Sequence, residues 1–432
     1  MKKGEVSIEK FEIYISLLLD FNYNCRKYNM NINIKTLLVI LFHSTFAFQS
    51  CNVKKSPVSN ASINYPELDT TFQTSDKDIN NVFIDTFQTS LANFISGMDK
   101  SYYDSILSID SDFWDEFTGK INEDFSKIEH RRLMKMFEWS QSSFIDKSID
   151  TSLVFYPFSG PDFLHAHYLY PNANEYILFA LEDVGDIPNL KDLDSESTKQ
   201  YLKNTNNFLR DIYLRSYFIT KNMQKDINKE KKVPGVLSTL YWFFSRTDHQ
   251  IVNVERITLD SNGKLISRDD IDDGIDGVKF SFVKKGEKNI KRLTYFSCDI
   301  SDKGFEKKNP ELFLYLQNIR KCNTFVKSAS YLMHYRSFKK IRDIVLDKSL
   351  SIFQDDTGVP FKYVDNEDWN IRCFGAYLKP IKDFEKNYNI LYQKDLASRY
   401  KESTEKLPFS LGYHWKDISE QNQMLITRLI EQ

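Results

Sequence analysis

Three short stretches concentrate residues able to do chemistry. The first is Pro157-Phe158-Ser159-Gly160-Pro161-Asp162-Phe163-Leu164-His165-Ala166-His167. Ser159, Asp162, His165 and His167 could together supply a nucleophile, a base and a group that orients the base. Asp162 and the two histidines could equally ligate a metal. The plainer alternative is a turn shaped by Gly160 and the prolines, with Asp162 capping a following helix. The second stretch is Lys327-Ser328-Ala329-Ser330-Tyr331-Leu332-Met333-His334. A helix beginning at Ser328 or Ser330 would present free N–H groups to an anion, with the Lys327 ammonium beside them. Its plainer reading is a capped helix carrying a surface lysine. The third is Gln354-Asp355-Asp356-Thr357-Gly358-Val359-Pro360, whose adjacent carboxylates suit a cation or a sugar hydroxyl, or form a turn closed by Thr-Gly. Six histidines lie beyond His43, and three of them, His165, His167 and His334, fall in these stretches.

Several familiar chemistries are missing. Asp269–Asp273 is acidic but lacks the glutamate that closes a calcium-binding EF-hand loop, so it reads as a solvated loop. The chain has no glycine-rich phosphate loop, no Gly-x-Ser-x-Gly elbow and no His-Glu-x-x-His. Three carboxylates, Asp162, Asp355 and Asp356, brought together would raise one another's pKa unless something offsets the repulsion. Lys327 and the expected helix start at Ser328–Ser330 could do so without a metal. The expectation is therefore a metal-free site for a polar or anionic ligand, with no cofactor specified. Ser159, Asp162, His165, Lys327, Ser330, Asp355 and Asp356 are expected to face one cavity. A hydrolase using the same loops is the alternative.

The elements that must position these loops follow from hydrophobic spacing. Ser152–Tyr156 and Tyr176–Leu181 are short apolar runs suited to buried strands. Ile251–Leu259 alternates and ends at Asp260-Ser261-Asn262-Gly263, a hairpin turn. Further strands are expected at Val278–Val283, Arg292–Cys298, Ser351–Gln354 and Cys373–Leu378. Helices are expected over Leu202–Met223, Gly235–Phe244, Phe338–Leu346 and Asp383–Tyr400. Phe83, Phe87, Leu91, Phe94 and Ile95 form an apolar stripe at helical spacing within a helical region, 79–150. Strands interspersed with helices and at least one hairpin define an α/β fold with a mixed β-sheet flanked by helices, preceded by that N-terminal helical region. The main domain spans 151–432.

At the N-terminal side, Lys35 precedes an apolar run, Thr36–Phe48, which ends in Phe48-Gln49-Ser50-Cys51. The run is shorter than the roughly 20 residues a spanning helix needs. A positive flank, an apolar stretch and a small residue before the cut are the parts of an export signal. Ser50-Cys51 resembles the end of a lipobox, which implies lipid attachment at Cys51; Phe48 and Gln49 depart from its commoner form. Met30 gives such a signal ordinary proportions, so 1–29 is read as an upstream extension and 30–50 as the signal peptide. Residues 51–78 form a polar tether that lets a domain stand off the membrane. Outside 1–50 the chain carries 52 basic and 56 acidic side chains, which argues against nucleic acid as a partner. Beyond Cys25 and Cys51, Cys298, Cys322 and Cys373 are widely spaced, and no Cys-x-x-Cys occurs.

FYPFSGPDFLHA, KSASYLMH and QDDTGVPF, with YFSCDISD and FGAYLKPI, resemble blocks of an uncharacterised family of bacterial secreted or lipid-anchored proteins over about residues 140–415. The resemblance implies an extracytoplasmic domain of the cell envelope, in the periplasm or at the outer membrane. It assigns no catalytic residue.

Overall fold

The structure, a computed structural model, describes residues 82–107, 109–144, 150, 152–187, 189–228, 233–268, 274–364 and 367–429. The start at Met30, the signal, Cys51, the tether and the Asp269–Asp273 loop lie outside the described residues.

Ten strands form one mixed sheet in the order β4-β3-β5-β6-β2-β1-β7-β8-β10-β9. They are β1 (Leu153–Tyr156), β2 (Glu175–Ala180), β3 (His249–Leu259), β4 (Leu265–Ser267), β5 (Asp276–Lys284), β6 (Lys291–Ser297), β7 (Cys322–Val326), β8 (Ser349–Gln354), β9 (Trp369–Gly375) and β10 (Asn422–Arg428). The central five, β6-β2-β1-β7-β8, are mutually parallel; the outer strands on both sides join through antiparallel pairs. Parallel strands must be covered on both faces, and β1 (LVFY) accordingly has no exposed position.

Alternation along the strands divides the core between the two faces. Val154, Tyr156, Tyr176 and Leu178 belong to one apolar cluster; Leu153, Phe155, Ile177 and Phe179 belong to the other. Helices α1 (Thr86–Ile95), α2 (Ser111–Ile128), α3 (Phe163–Leu169), α4 (Ser195–Phe208), α5 (Arg210–Arg215) and α6 (Leu237–Arg246) contribute to the first. Helices α7 (Asp302–Lys307), α8 (Pro310–Asn318), α9 (Lys339–Lys348) and α10 (Lys394–Lys401) contribute to the second. The result is three layers, α/β/α, the mixed-sheet architecture expected from the pattern of elements. Phe94 and Ile95 of the expected N-terminal stripe are buried in the first cluster, whereas Phe83 at its start is 88% exposed.

Some elements differ from expectation. The helix expected over Leu202–Met223 is broken: α4 gives way to α5 at Leu209, and α5 ends at Ser216 in the left-handed conformation, φ 70°. Periodicity persists across such a break, because consecutive helices can bury the same face. The Cys373–Leu378 strand is instead Trp369–Gly375, paired antiparallel with β10. Gly375, φ 91°, closes it where a Cβ would lie 1.9 Å from the Gln421 carbonyl oxygen. The helix expected over Asp383–Tyr400 is a 3₁₀ segment, Lys382–Asn387, a short turn of α-helix, Tyr388–Leu391, and then α10.

β1 and β7 are adjacent, and the chain leaves them in opposite directions. From β1 it crosses by α3 on the first face to β2; from β7 it crosses by α9 on the second face to β8. This divergence is a topological switch point, which opens a crevice at the carboxyl ends of the two strands.

Candidate ligand cavity at the switch point

The loop leaving β1 reverses sharply, with Phe158 at φ 61° and Gly160 at φ 60°. Ser159 ties it to β2: its N–H and its hydroxyl both donate to the Phe179 carbonyl at 3.1 Å, and the hydroxyl accepts from Phe179 N–H at 3.0 Å. Asp162 then caps α3, as expected, accepting from His165 N–H at 3.2 Å. The His165 ring approaches the same oxygen through Nδ1, 2.8 Å away. On the other carboxylate oxygen, Lys327 Nζ lies at 2.7 Å and the Tyr156 hydroxyl donates at 3.1 Å. Lys327 also donates to the Ser216 carbonyl, which the break after α5 turns towards it.

Burial alone would raise the Asp162 carboxyl, but His165 and Lys327 outweigh it and hold it down at about 2. Burial lowers His165 to about 4 against the pull of Asp162, so its ring is neutral at pH 7 and Lys327 is the counter-ion. Burial also lowers the Lys327 ammonium, opposed by Asp162.

The loop leaving β7 is not the expected helix start. Ser328, Ser330 and Tyr331 have φ of 52°, 54° and 57°, and only a 3₁₀ turn, Leu332–His334, follows. The N–H groups expected to be free are used inside the protein. Ser328 N–H donates to Asp355 at 2.8 Å, and Ala329 N–H donates to the Thr357 hydroxyl at 2.8 Å. Nor is Lys327 on the surface; it is 3% exposed. After β8, the turn at Asp355-Asp356-Thr357-Gly358 is closed as expected, with Thr357 N–H and hydroxyl both on Asp355. Asp356 accepts from the Tyr331 hydroxyl and, at 2.8 Å, from the Asn422 amide. Burial, and for Asp356 the neighbouring Asp355 charge, raise both carboxyls.

A cavity of about 460 Å³ fills the crevice. Its lining comes from the ends of four parallel strands: Tyr156–Gly160 region after β1, Phe179–Glu182 after β2, Cys298–Ile300 after β6 and Lys327–Ser330 after β7. Arg215, Phe218, Lys221, Phe384 and Tyr413 complete much of the wall.

Of the residues singled out in the sequence, Ser159, Lys327, Ser328 and Ser330 line this cavity. Asp162, His165, Asp355 and Asp356 do not. Each is at most 1% exposed and serves as an internal partner that holds a lining loop in place. The expected single cluster of seven facing residues is therefore divided into a wall and the layer behind it. His167 packs away from the crevice, against Phe163 and His249, with ring centroids 5.4 and 4.7 Å distant. His334 stands edge-on to Tyr331 at 5.0 Å, outside the lining; burial lowers it to about 4. No Ser159–His165 hydrogen bond forms, since Ser159 is engaged by Phe179 and His165 by Asp162. Among the described residues, no three His, Cys, Asp or Glu side chains gather as a metal site. Cys298, Cys322 and Cys373 are free and buried, and burial raises each thiol.

Sequence reasoning missed Glu182, Arg215, Ser216 and Tyr413. Only Glu182 carried a signal: it directly follows an apolar run, YILFAL, and so ends a strand at the same sheet edge. No family model, curated protein or solved structure matches this chain.

Proposed function

We propose that this chain is an exported bacterial lipoprotein, attached to an envelope membrane through Cys51, whose α/β domain binds a small polar ligand. The observation that carries the ligand reading is the coincidence of the β1/β7 switch point with a cavity of about 460 Å³. That size lies within the range of about 300–1,000 Å³ used for small molecules. Aromatic and aliphatic walls with a few polar groups suit an organic molecule. Arg215 and Lys221 on the wall suit an acidic group on it. The resemblance of the 140–415 blocks to secreted or lipid-anchored bacterial proteins agrees with the envelope location.

The hydrolase alternative is the weaker reading. Ser159 spends its hydroxyl on the Phe179 peptide, and Asp162 and His165 act on Lys327 and α3 rather than on the cavity.

Thermal-shift screening of the purified protein against amines, carboxylates, phosphates and sugars tests the binding reading. A compound that raises Tm should lose that effect in Ser330→Trp, which fills the cavity from its wall. Undiminished binding by the filled variant would place the ligand elsewhere.

A further inference from the structure

The buried carboxylates along the carboxyl edge of the sheet differ in one respect. Asp162 is met by Lys327, His165 and Tyr156; Asp355 by Ser328 and Thr357; Asp356 by Tyr331 and Asn422. Glu182, just beyond β2, is 4% exposed and lines the cavity, yet its Oε1 atom has no hydrogen-bond partner. A buried acceptor left unmatched is costly, and more so when charged. Lys327, on the same wall, is already committed: it holds Asp162 and the Ser216 carbonyl.

We infer that Glu182 is the recognition group for an organic amine, whose ammonium would donate to Oε1 while its apolar or aromatic body lies among Phe158, Phe179, Phe218 and Phe384. This deepens the proposed function and rests on the cavity being a ligand site. An ammonium fits better than a neutral donor for two reasons. It supplies a charge-assisted hydrogen bond to a carboxylate removed from water, and the aromatic walls attract cations through their ring faces. Burial pushes the Glu182 carboxyl up to about 7, with the peptide N–H groups of Glu182 and Leu181 pulling it down and Asp183 pushing it up. Tyr295 of β6 reaches the Glu182 carbonyl, not the carboxylate. A bound ammonium would stabilise the ionised form that burial disfavours.

The far end of the ligand is set by the strand order. β2 and β7 are two positions apart in the sheet, roughly 10 Å at the usual strand spacing. At the β7 end, Ser328 Oγ is buried without a partner, and the Ser330 hydroxyl meets Tyr413 OH at 2.8 Å. A hydroxyl or acid group at that distance from the amine would find partners there.

Tyramine, its alcohol counterpart tyrosol and its carboxylate counterpart phloretate separate the possibilities. Calorimetry or ligand-observed NMR on the purified full chain at about pH 8 should show tyramine binding about tenfold more tightly than tyrosol, the scale of one charge-assisted hydrogen bond. Glu182→Gln should abolish that preference while leaving the melting transition cooperative. Equal binding of tyramine and tyrosol by the natural chain, or an amine preference that survives in Glu182→Gln, overturns the inference. Binding of phloretate or tyrosol without tyramine overturns it too, but leaves the cavity as a ligand site. Binding of none of the three removes the amine assignment, and with a blank thermal-shift screen it removes the ligand reading as well.

Discussion

Lys327 and Asp162 meet 2.7 Å apart with side chains 2% and 0% exposed, and the loop after β1 is pinned to the loop after β7 by that contact. Removing one member leaves a buried charge unmatched, which costs about 3–5 kcal/mol; removing both together can cost far less. Lys327→Met should therefore destabilise the protein by about that amount in urea denaturation. Adding Asp162→Asn should recover a large part of the loss. A double variant that loses the sum of the two single-variant losses would show that the pair does not couple. A second prediction concerns pH. The Asp356 carboxyl is raised to about 7 from 3.8 by burial and by Asp355. The folded state thus holds that proton more tightly than the unfolded chain, and the associated stability is present below the unfolded value and lost as pH rises towards the folded one. Asp356→Asn keeps an oxygen for the Asn422 amide and has no proton to lose. Its stability relative to the natural chain should rise between about pH 4 and about pH 7. A pH-independent difference would reject the assignment. His165 works in the opposite sense: held at about 4 rather than 6.5, it contributes stability above the higher value that is lost as pH falls towards the lower.

Among the elements, the connections carry the conformational strain. Gly412 sits at φ 68° against the loop after β7, and its N–H donates to Ser216 Oγ at 2.8 Å. A Cβ there would meet Asp355 Oδ2 at 2.9 Å and Ser328 Oγ at 3.2 Å. Gly412→Ala should cost about 1–2 kcal/mol from the left-handed backbone alone, with a further loss as Asp355 is displaced. A melting temperature unchanged from the natural chain would show that this contact can relax freely. The same connections mark the limit of what the sequence makes legible. β1 and β2 are plain in LVFY and YILFA because period and apolarity act locally. The Asp162 cap is plain because Asp before a helix binds N–H groups within one turn. The Ser328–Tyr331 conformation is not: serine and tyrosine carry no preference for positive φ, and Asp355 and Thr357, which claim the loop's N–H groups, lie 27 and 28 residues further on. Ser216 acts on Lys327 across 111 residues, and no local signal announces it. Polar residues clustered in the right loops were thus visible, whereas their division into wall and backing was set by tertiary partners.

At the scale of the whole molecule, the sheet has apolar cores on both faces, and the crevice opens at one edge. Among the described residues, no helix is long and apolar enough to cross a membrane. The side chains outside 1–50 have a slight acidic excess, and a basic surface cluster is what attracts a protein to anionic lipid. On the proposed reading the domain is attached through covalent lipid, each buried CH₂ of which contributes about 0.8 kcal/mol. The acceptor would be Cys51, at the end of the Thr36–Phe48 run. Cys51→Ser leaves that apolar run intact but removes the thiol. The variant should move from the membrane fraction to the soluble extracytoplasmic fraction after cell breakage, and metabolic labelling with a tagged fatty acid should vanish. Its α/β domain should keep the melting temperature of the delipidated natural protein, because the cores among the described residues lie within residues 91–426. A variant that stays with the membrane and keeps the fatty-acid label would place the anchor at another residue. One that stays without the label would mean that the retained apolar run or the protein surface, not lipid, holds the chain there.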